Sequence, residues 1–451
     1  MIQSHKITNA NIKEWAKNYN GEPFDAILCD PPYELGFMGK SWDSSGIAFD
    51  TDMWTDLFRH VKPGGHLLAF SGSRTYHRMA VAIEDAGFEI RDMIEWVYGS
   101  GFPKSLNIGK VTDKYLKTGN ASWNGTGDSS NGALGYSKLQ HKQGYRPNDY
   151  SNKHQTKSEI TEEQAKQFEG YGTALKPAHE PCVLARKPIE GTVANNVLKH
   201  GTGGLNIDGS RITHNEPVKT TSRKERSAGW NMENTGFDST QNTQASANTM
   251  GRFPANLILD GSDEVVGLFP DTGKSTASKG HFRKGNVVGD ERTSKAAGQF
   301  GDGAWVAGSL HNDSGSAARF FYTAKSSRAE RNAGLEGFDT KQSVGGGGGI
   351  GDYLEDVNSA SGKYGSEKAP SANHHPTVKP LSLTKYLANL IKPPTGGRLL
   401  VPFSGSGSEM IGALQAGWEY VEGVELTEEY IPIAEARIKY WLEKPSQGKL
   451  L

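Results

Sequence analysis

The sequence predicts an α/β protein: a mostly parallel sheet with helices on both faces, completed by both chain ends around an inserted irregular lobe. Three observations carry this. Strand-like and helix-like segments alternate over residues 1–100 and again after His375. The second stretch holds a single βαβα unit, whose two strands are too few for an independent sheet and must pair with the first stretch. Between them the chain is rich in Gly, Asn and Ser, with short apolar islands and no internal repeat.

Each element follows from its residues. Asp25 to Cys29 is a short apolar run that ends in a Pro-Pro turn. Thr51 to Val61 reads as a helix with Trp54, Leu57, Phe58 and Val61 on one face, broken by Pro63-Gly64-Gly65. His66 to Phe70 then reads as a buried strand, Tyr76 to Ala86 as a helix closed by Gly87, and Phe88 to Tyr98 as a long strand. Residues 105–172 form an inserted flexible segment, and Ala178 to Lys187, within 173–189, is a strand returning to the sheet. Residues 190–370 make the lobe, with islands at Asn256 to Asp260 and Arg319 to Lys325 and a flexible joint at Gly345 to Gly349. In 371–451, Leu381 to Ile391 is a helix stopped by Pro393-Pro394, and Arg398 to Val401 is a strand. A glycine turn, a helix at Glu409 to Ala416, a strand at Tyr420 to Val424 and a last helix at Glu428 to Leu442 follow. Residues 1–104 and 371–451 are thus the two halves of one domain.

Composition excludes several classes. Among 451 residues no run of about 18 apolar ones occurs, so no membrane-spanning helix is expected. Met1 to Ile12 lacks the basic-then-apolar signature of a secretory leader. Two cysteines, Cys29 and Cys182, cannot build a disulfide framework or a Cys-rich zinc site, and His66, His77 and His179 lack metal-ligand spacing. A reducing, cytoplasmic setting and no metal are the expectations. Net charge is only -1, but residues 1–100 with 401–451 carry -9 and residues 101–400 carry +8. An acidic frame around a basic middle hints at a nucleic-acid partner for the middle.

Three motifs carry chemistry. Asp30-Pro31-Pro32-Tyr33 follows a strand directly. Its prolines remove two backbone donors and leave carbonyls free to accept. A carboxylate and an aromatic face beside them make a cradle for a planar group bearing an NH₂, at the strand end where open α/β sheets bind ligands. The second motif, Phe403-Ser404-Gly405-Ser406-Gly407, lies in a strand–helix turn and is spaced F-x-G-x-G. Glu425 stands at the tip of the next strand, where an acid suits ribose hydroxyls, so the pair reads as an adenosine-containing cofactor site. The third, His375-Pro376-Thr377-Val378-Lys379-Pro380, offers a hydroxyl and an ammonium just before a helix, which suits a carboxylate.

These motifs, in this order, resemble the DNA amino-methyltransferases in their beta arrangement: catalytic DPPY first, cofactor loop last, recognition region between. Strings such as GFPKSLNIGK, AHEPCVLARKP and GRFPANLILD are similar to a phage and prophage branch, some of whose relatives serve restriction–modification. The resemblance implies a Rossmann-like fold, S-adenosylmethionine (AdoMet) as cofactor and double-stranded DNA as partner, with a homodimer left open. It implies direct methyl transfer to the N6 amine of a flipped-out adenine. Asp30 and the Pro31 carbonyl would accept the amine hydrogens, with Pro32 shaping the turn and Tyr33 stacking on the base. Phe403, Ser404, Gly405, Ser406, Gly407, Glu425, Thr377, Lys379 and Asn11 would hold AdoMet.

Two positions depart from the family pattern. Val401 stands where the cofactor loop usually begins with Asp, and Ala10 stands where an Asp aligns near the N-terminus, with Asn9 or Asn11 as substitutes. Cysteine attack belongs to methylation of a ring carbon rather than an amine, so Cys29 and Cys182 are read as buried strand residues. The alternatives are methylation of cytosine N4, of RNA or a protein glutamine, and a DNA-binding protein that has lost catalysis.

Overall fold

In a computed structural model the described residues are 3–35, 43, 45–101, 105, 107–118, 163, 166–213, 251–273, 281–282, 305–306, 314–324, 327–340 and 371–443. Most of the 105–172 insert, and the glycine joint at 345–349, lie outside them. The described chain divides into two compact units. The first comprises Met1–Ser210, Ala255–Val265 and Thr323–Leu451, the second Arg211–Pro254 and Val266–Tyr322.

The first unit is built on a mixed sheet. Its strands are β1 (Ser4–Asn9), β2 (Phe24–Cys29), β3 (Val61–Phe70), β4 (Glu89–Val97), β5 (His179–Arg186), β6 (Leu257–Leu259), β7 (Tyr322–Thr323), β8 (Arg398–Pro402) and β9 (Tyr420–Glu425). They lie in the order β1-β9-β8-β2-β3-β5-β4-β6-β7. The pairings from β1 through β3 are all parallel, and Leu399 of β8 sits opposite Ala26 of β2. The two ends of the chain therefore do complete one sheet, as the patterning requires. β1 was not legible, because Ser4-His5-Lys6 is too polar to stand out; it is an edge strand beside β9.

The helices are α1 (Ile12–Asn18), α2 (Thr51–Arg59), α3 (Tyr76–Asp85), α4 (Ile108–Thr118), α5 (Val193–His200), α6 (Arg328–Asn332), α7 (Leu381–Leu390), α8 (Ser408–Gln415) and α9 (Ile431–Glu443). One face of the sheet packs on α1, α2 and α3 through Trp15, Trp54, Leu57, Met79 and Ile83, which meet Phe24, Ile27, Leu67 and Leu400. Asp50 starts α2 by accepting from the Met53 amide. Asp25 ties three strands at their lower ends: it accepts from Lys62 at 2.7 Å and from the Arg398 amide at 2.8 Å.

Two expectations are corrected, for the end of α2 and for the segment 190–370, and one strand direction is added. The α2 helix stops at Arg59, and Val61 and the Pro-Gly-Gly run belong to β3. Gly64 adopts φ +78° and donates to the Lys187 carbonyl, and a side chain there would strike Asn196, so the glycine pair bends a strand instead of ending a helix. β5 enters between β3 and β4 antiparallel to both, a direction that periodicity does not encode. The segment 190–370 is not one lobe. α5 and residues up to Ser210 belong to the first unit, β6 extends the sheet by pairing parallel with β4, and α6 also lies in this unit. Buried Asn196 holds the 190–202 turn by bonding the Glu190 amide and the Pro63 and Thr202 carbonyls, a polar device that hydrophobic patterning misses.

The second unit carries two antiparallel ladders, Asp271–Thr272 with Gly315–Ser316 and His281–Phe282 with Trp305–Val306. The guanidinium groups of Arg252 and Arg319 lie 4.4 and 4.5 Å from the ring centre of Phe320.

His66 of β3 is buried, and this burial, with the charges of Arg186 and Arg91, holds its imidazole down at about 4. The unfolded chain takes up that proton near 6.5. The unfolded state thus binds more protons in this window, and stability falls as pH drops from about 6.5 to about 4, by up to roughly 3 kcal/mol. In His66→Leu, urea unfolding at pH 7 and pH 4.5 should show a correspondingly smaller acid loss than wild type.

Candidate active site

Fully buried β2 delivers Asp30-Pro31-Pro32-Tyr33 at its carboxyl end. The turn is held from several sides. Thr75 Oγ1 donates to the Tyr33 carbonyl at 2.8 Å. Glu34, at φ +56°, buries a carboxylate that accepts from the Gly46 amide at 2.7 Å and from Ser45 Oγ at 3.3 Å. Asp43 receives the Glu34 amide at 3.0 Å. A left-handed residue directly after the motif is backbone strain, held here by four hydrogen bonds.

Within this turn the Asp30 carboxylate is split in function. Oδ2 accepts from Lys379 Nζ at 2.6 Å. Oδ1 is buried and has no hydrogen-bond partner among the described residues. No donor among those residues meets the Pro31 carbonyl either. The carbonyl and carboxylate that the sequence suggests as acceptors are thus both open, while the Tyr33 carbonyl is taken by Thr75.

Lys379, expected at the cofactor, lies beside Asp30 and Tyr33. Its buried Nζ donates to Asp30 Oδ2 and to Tyr33 Oη at 3.0 Å, and lies 3.3 Å from Glu180 Oε2. It also sits 4.8 Å from the Phe70 ring centre. Tyr33 Oη in turn donates to Glu180 at 3.0 Å. The two carboxylates hold the Lys379 ammonium well above its ordinary range despite its burial. Glu180 escaped sequence reasoning because it begins β5: only the antiparallel direction of that strand brings its first residues to the carboxyl ends of β2 and β3. Cys29 and Cys182 are buried free thiols, pushed up by desolvation, which agrees with a strand role.

The network alters one expectation for Tyr33. Stacking needs the ring alone, but the hydroxyl bonds two charged groups. Tyr33→Phe is therefore expected to lower kcat by about ten-fold, from a lost charge-assisted bond. Tyr33→Ala should lower it further by the stacking energy of about 1–3 kcal/mol. Steady-state rates of both variants check this, and a Phe variant as poor as Ala would remove the stacking role.

The glycine turn connects β8 to α8. Phe403 at φ +61°, Gly405 at +50° and Gly407 at +81° reverse the chain, and Ser404 bonds the Val424 carbonyl through its amide. Glu425, at the tip of β9, accepts from the Gly405 amide at 2.7 Å and from the Thr427 amide at 2.8 Å. Each carboxylate oxygen keeps a second lone pair for a hydroxyl. The imidazole of His375 would stand 2.9 Å from a Cβ at Gly405, so a side chain there would force the ring to shift and would strain the backbone. Burial lowers His375 to about 4, so it is neutral at pH 7, with Nδ1 on the Thr377 carbonyl.

Ser406 is held by buried Arg437 of α9, which bonds its carbonyl and hydroxyl and also Ser408 Oγ at 3.2 Å. Arg331 and Asn332 of α6 secure Asn373 and His375 from the other side. Ser404 Oγ, like Asp30 Oδ1, is buried without a partner among the described residues.

Two further positions fall elsewhere. Thr377 is exposed and engages His375 through its carbonyl. Asn11 is the N-cap of α1, its side chain accepting from the Lys13 amide at 2.9 Å. Asn9 is the residue in register with Glu425, and its amide nitrogen donates to the Glu425 and Leu426 carbonyls. Val401 is completely buried in β8, so no carboxylate occupies that strand tip.

A mixed, largely parallel α/β sheet thus carries the DPPY turn on one strand and the glycine turn on the neighbouring strand. The chain matches the family model described as DNA methylase, N6_N4_Mtase, over residues 24–436. It belongs to that family. The type II methyltransferase M.HindIII of Haemophilus influenzae is 25% identical over 167 residues, which span 36% of this chain and 39% of that protein. Among solved structures, TTHA0409 of Thermus thermophilus, complexed with S-adenosyl-L-methionine, is 12% identical at a TM-score of 0.36, with 97% of this chain and 94% of that one covered. The cytosine-N4-specific PvuII DNA methyltransferase is 9% identical at 0.39, with 97% and 86% covered. Among the described residues no group of three or more His, Cys, Asp or Glu is placed to hold a metal, and no helix is long and apolar enough to cross a membrane.

Proposed function

We propose that this chain is an AdoMet-dependent DNA methyltransferase that modifies the exocyclic N6 amine of adenine. The observation that carries the reading is the buried, unpartnered Oδ1 of Asp30, set beside the open Pro31 carbonyl at the end of β2. Two fixed acceptors suit an NH₂ group. The cofactor also fits the residues present: Gly405 and Gly407 let a ligand approach the backbone, Glu425 can accept from ribose hydroxyls, and Ser404 Oγ is available for a polar contact.

When bound, AdoMet supplies an electrophilic methyl group. The residues of the chain do the rest. Asp30 Oδ1 and the Pro31 carbonyl accept the two amine hydrogens and draw the nitrogen toward tetrahedral geometry, with its lone pair directed away from the ring. Lys379 holds Asp30 in place, and Tyr33 supports the base with its ring. Acceleration comes from positioning and fixed charge, with no covalent enzyme intermediate.

The basic middle, +8 over residues 101–400, supports a DNA substrate. Affinity should fall with salt at a log–log slope of about -0.9 for each phosphate contact. Neutralising lysines and arginines of 190–370 should flatten the slope, and a deletion of 110–170 that leaves affinity, slope and site selectivity intact would assign recognition to 190–370.

The deciding experiment is mass spectrometry of nucleosides from unmethylated DNA treated with the protein and AdoMet. N6-methyladenine is the expected product. N4-methylcytosine would move the activity to the other base amine, and no methylated nucleoside, with AdoMet bound, would show a DNA-binding protein without catalysis.

A further inference from the structure

Val401 stands where the cofactor loop of the family usually begins with Asp, and another acid lies on the same side of the sheet. β8 alternates, so Leu400 enters the layer with α1 to α3 and Val401 faces the opposite layer. Gly423 of β9 is the register partner of Val401, and a Cβ there would stand 2.4 Å from the sulfur of Met410 in α8. The first turn of α8 therefore lies on the face that Val401 points to. That turn contains Glu409, which is 5% exposed.

Glu409 is buried among charges without a direct partner. It is close enough to Asp30, Lys379 and Arg437 for their charges to act on it. Lys379 is already shared by Asp30 and Glu180, and the Arg437 bonds run to Ser406, Ser408 and Glu330. No side chain among the described residues donates to the Glu409 carboxylate; its hydrogen-bonding group is its own backbone amide. Burial, reinforced by Asp30, pushes this carboxyl up to about 7. A cationic ligand group beside it would hold it ionised.

We infer that Glu409 binds the α-ammonium of the AdoMet methionine moiety, the acid having moved from the tip of β8 to the first turn of the helix above it. The inference rests on the AdoMet reading of the glycine turn. It names a position outside all three motifs and gives the Val401 departure a compensating partner. The placement agrees: Glu409 follows the Gly405–Gly407 turn by two residues, and Asp30 and Lys379 are close enough for their charges to act on it.

The test is calorimetric and needs no turnover. S-adenosylhomocysteine and its analogue with hydrogen in place of the α-amino group are titrated into wild type and Glu409→Gln. Wild type should bind the amino compound about ten- to a hundred-fold more tightly than the analogue, as for a bond between charged groups. Glu409→Gln should lose most of that preference while binding the analogue as wild type does. Glu409→Met, of similar volume, should behave like Glu409→Gln, and thermal melting verifies that both variants fold. A variant that keeps the full amino preference, or that weakens both ligands equally, overturns the assignment. Failure of wild type to bind either compound would instead remove the AdoMet reading itself.

Discussion

Replacing Asp30 with alanine is expected to lower kcat for methyl transfer by about 10³-fold while AdoMet affinity changes only a few-fold. The rate loss follows from removing an acceptor fixed where the amine hydrogen must go; one such preorganised contact is worth about 10²–10³ in kcat. Oδ1 is already buried and unpartnered, so it needs no rearrangement on binding. Affinity should survive because Asp30 lies on the β2 turn, whereas Glu425 and the glycines of the other turn hold their own contacts. The variant also strips Lys379 of its shortest contact, at 2.6 Å, leaving Glu180 and Tyr33 Oη as its remaining partners. A modest fall in unfolding midpoint should accompany the rate loss. Rapid-quench turnover with calorimetry on the same preparation checks both halves. Normal turnover, or a loss of AdoMet binding as large as the rate loss, would end the assignment of Asp30 to the amine.

Lys379→Met is expected to be the most damaging substitution for stability at the site, and nearly as damaging to rate. Its ammonium is the cation between Asp30 and Glu180. Removing one member of a buried ion pair typically costs about 3–5 kcal/mol, because the partner charge stays behind. Here two carboxylates stay behind, which lay 2.6 and 3.3 Å from the lost ammonium. Without the shared cation they repel each other, Asp30 loses its fixed place, and the rate falls together with the stability. Urea unfolding and steady-state rates measure the two effects separately. Wild-type stability and turnover in the variant would reduce Lys379 to a packing residue.

Much of this site was legible from local pattern. Asp30 to Tyr33, the turn from Phe403 to Gly407, and Glu425 each sit at the end of an apolar strand, and strand ends in open α/β sheets are where ligands bind. The contacts that local pattern does not reveal are those of polar groups whose partners are remote in sequence. Lys379 meets Asp30 across 349 positions and Tyr33 meets Glu180 across 147. Asn11, expected at the cofactor, is the N-cap of α1; a short polar side chain before an apolar run suits either role.

What the sequence determined by itself was the α/β class, the union of both chain ends in one sheet, and the two turns at the ends of β2 and β8. These depend on periodicity, on proline and glycine, and on the order of short motifs, all local properties of the chain. The tertiary structure alone decided the antiparallel course of β5, the recruitment of β6 and α5 into the catalytic unit, and the placing of Lys379, Glu180 and Glu409 around Asp30. The reason is physical. A buried charge is acceptable only where an opposite charge or a ligand meets it, and which charges meet is fixed by how strands stack side by side, not by the residues next to them in the chain.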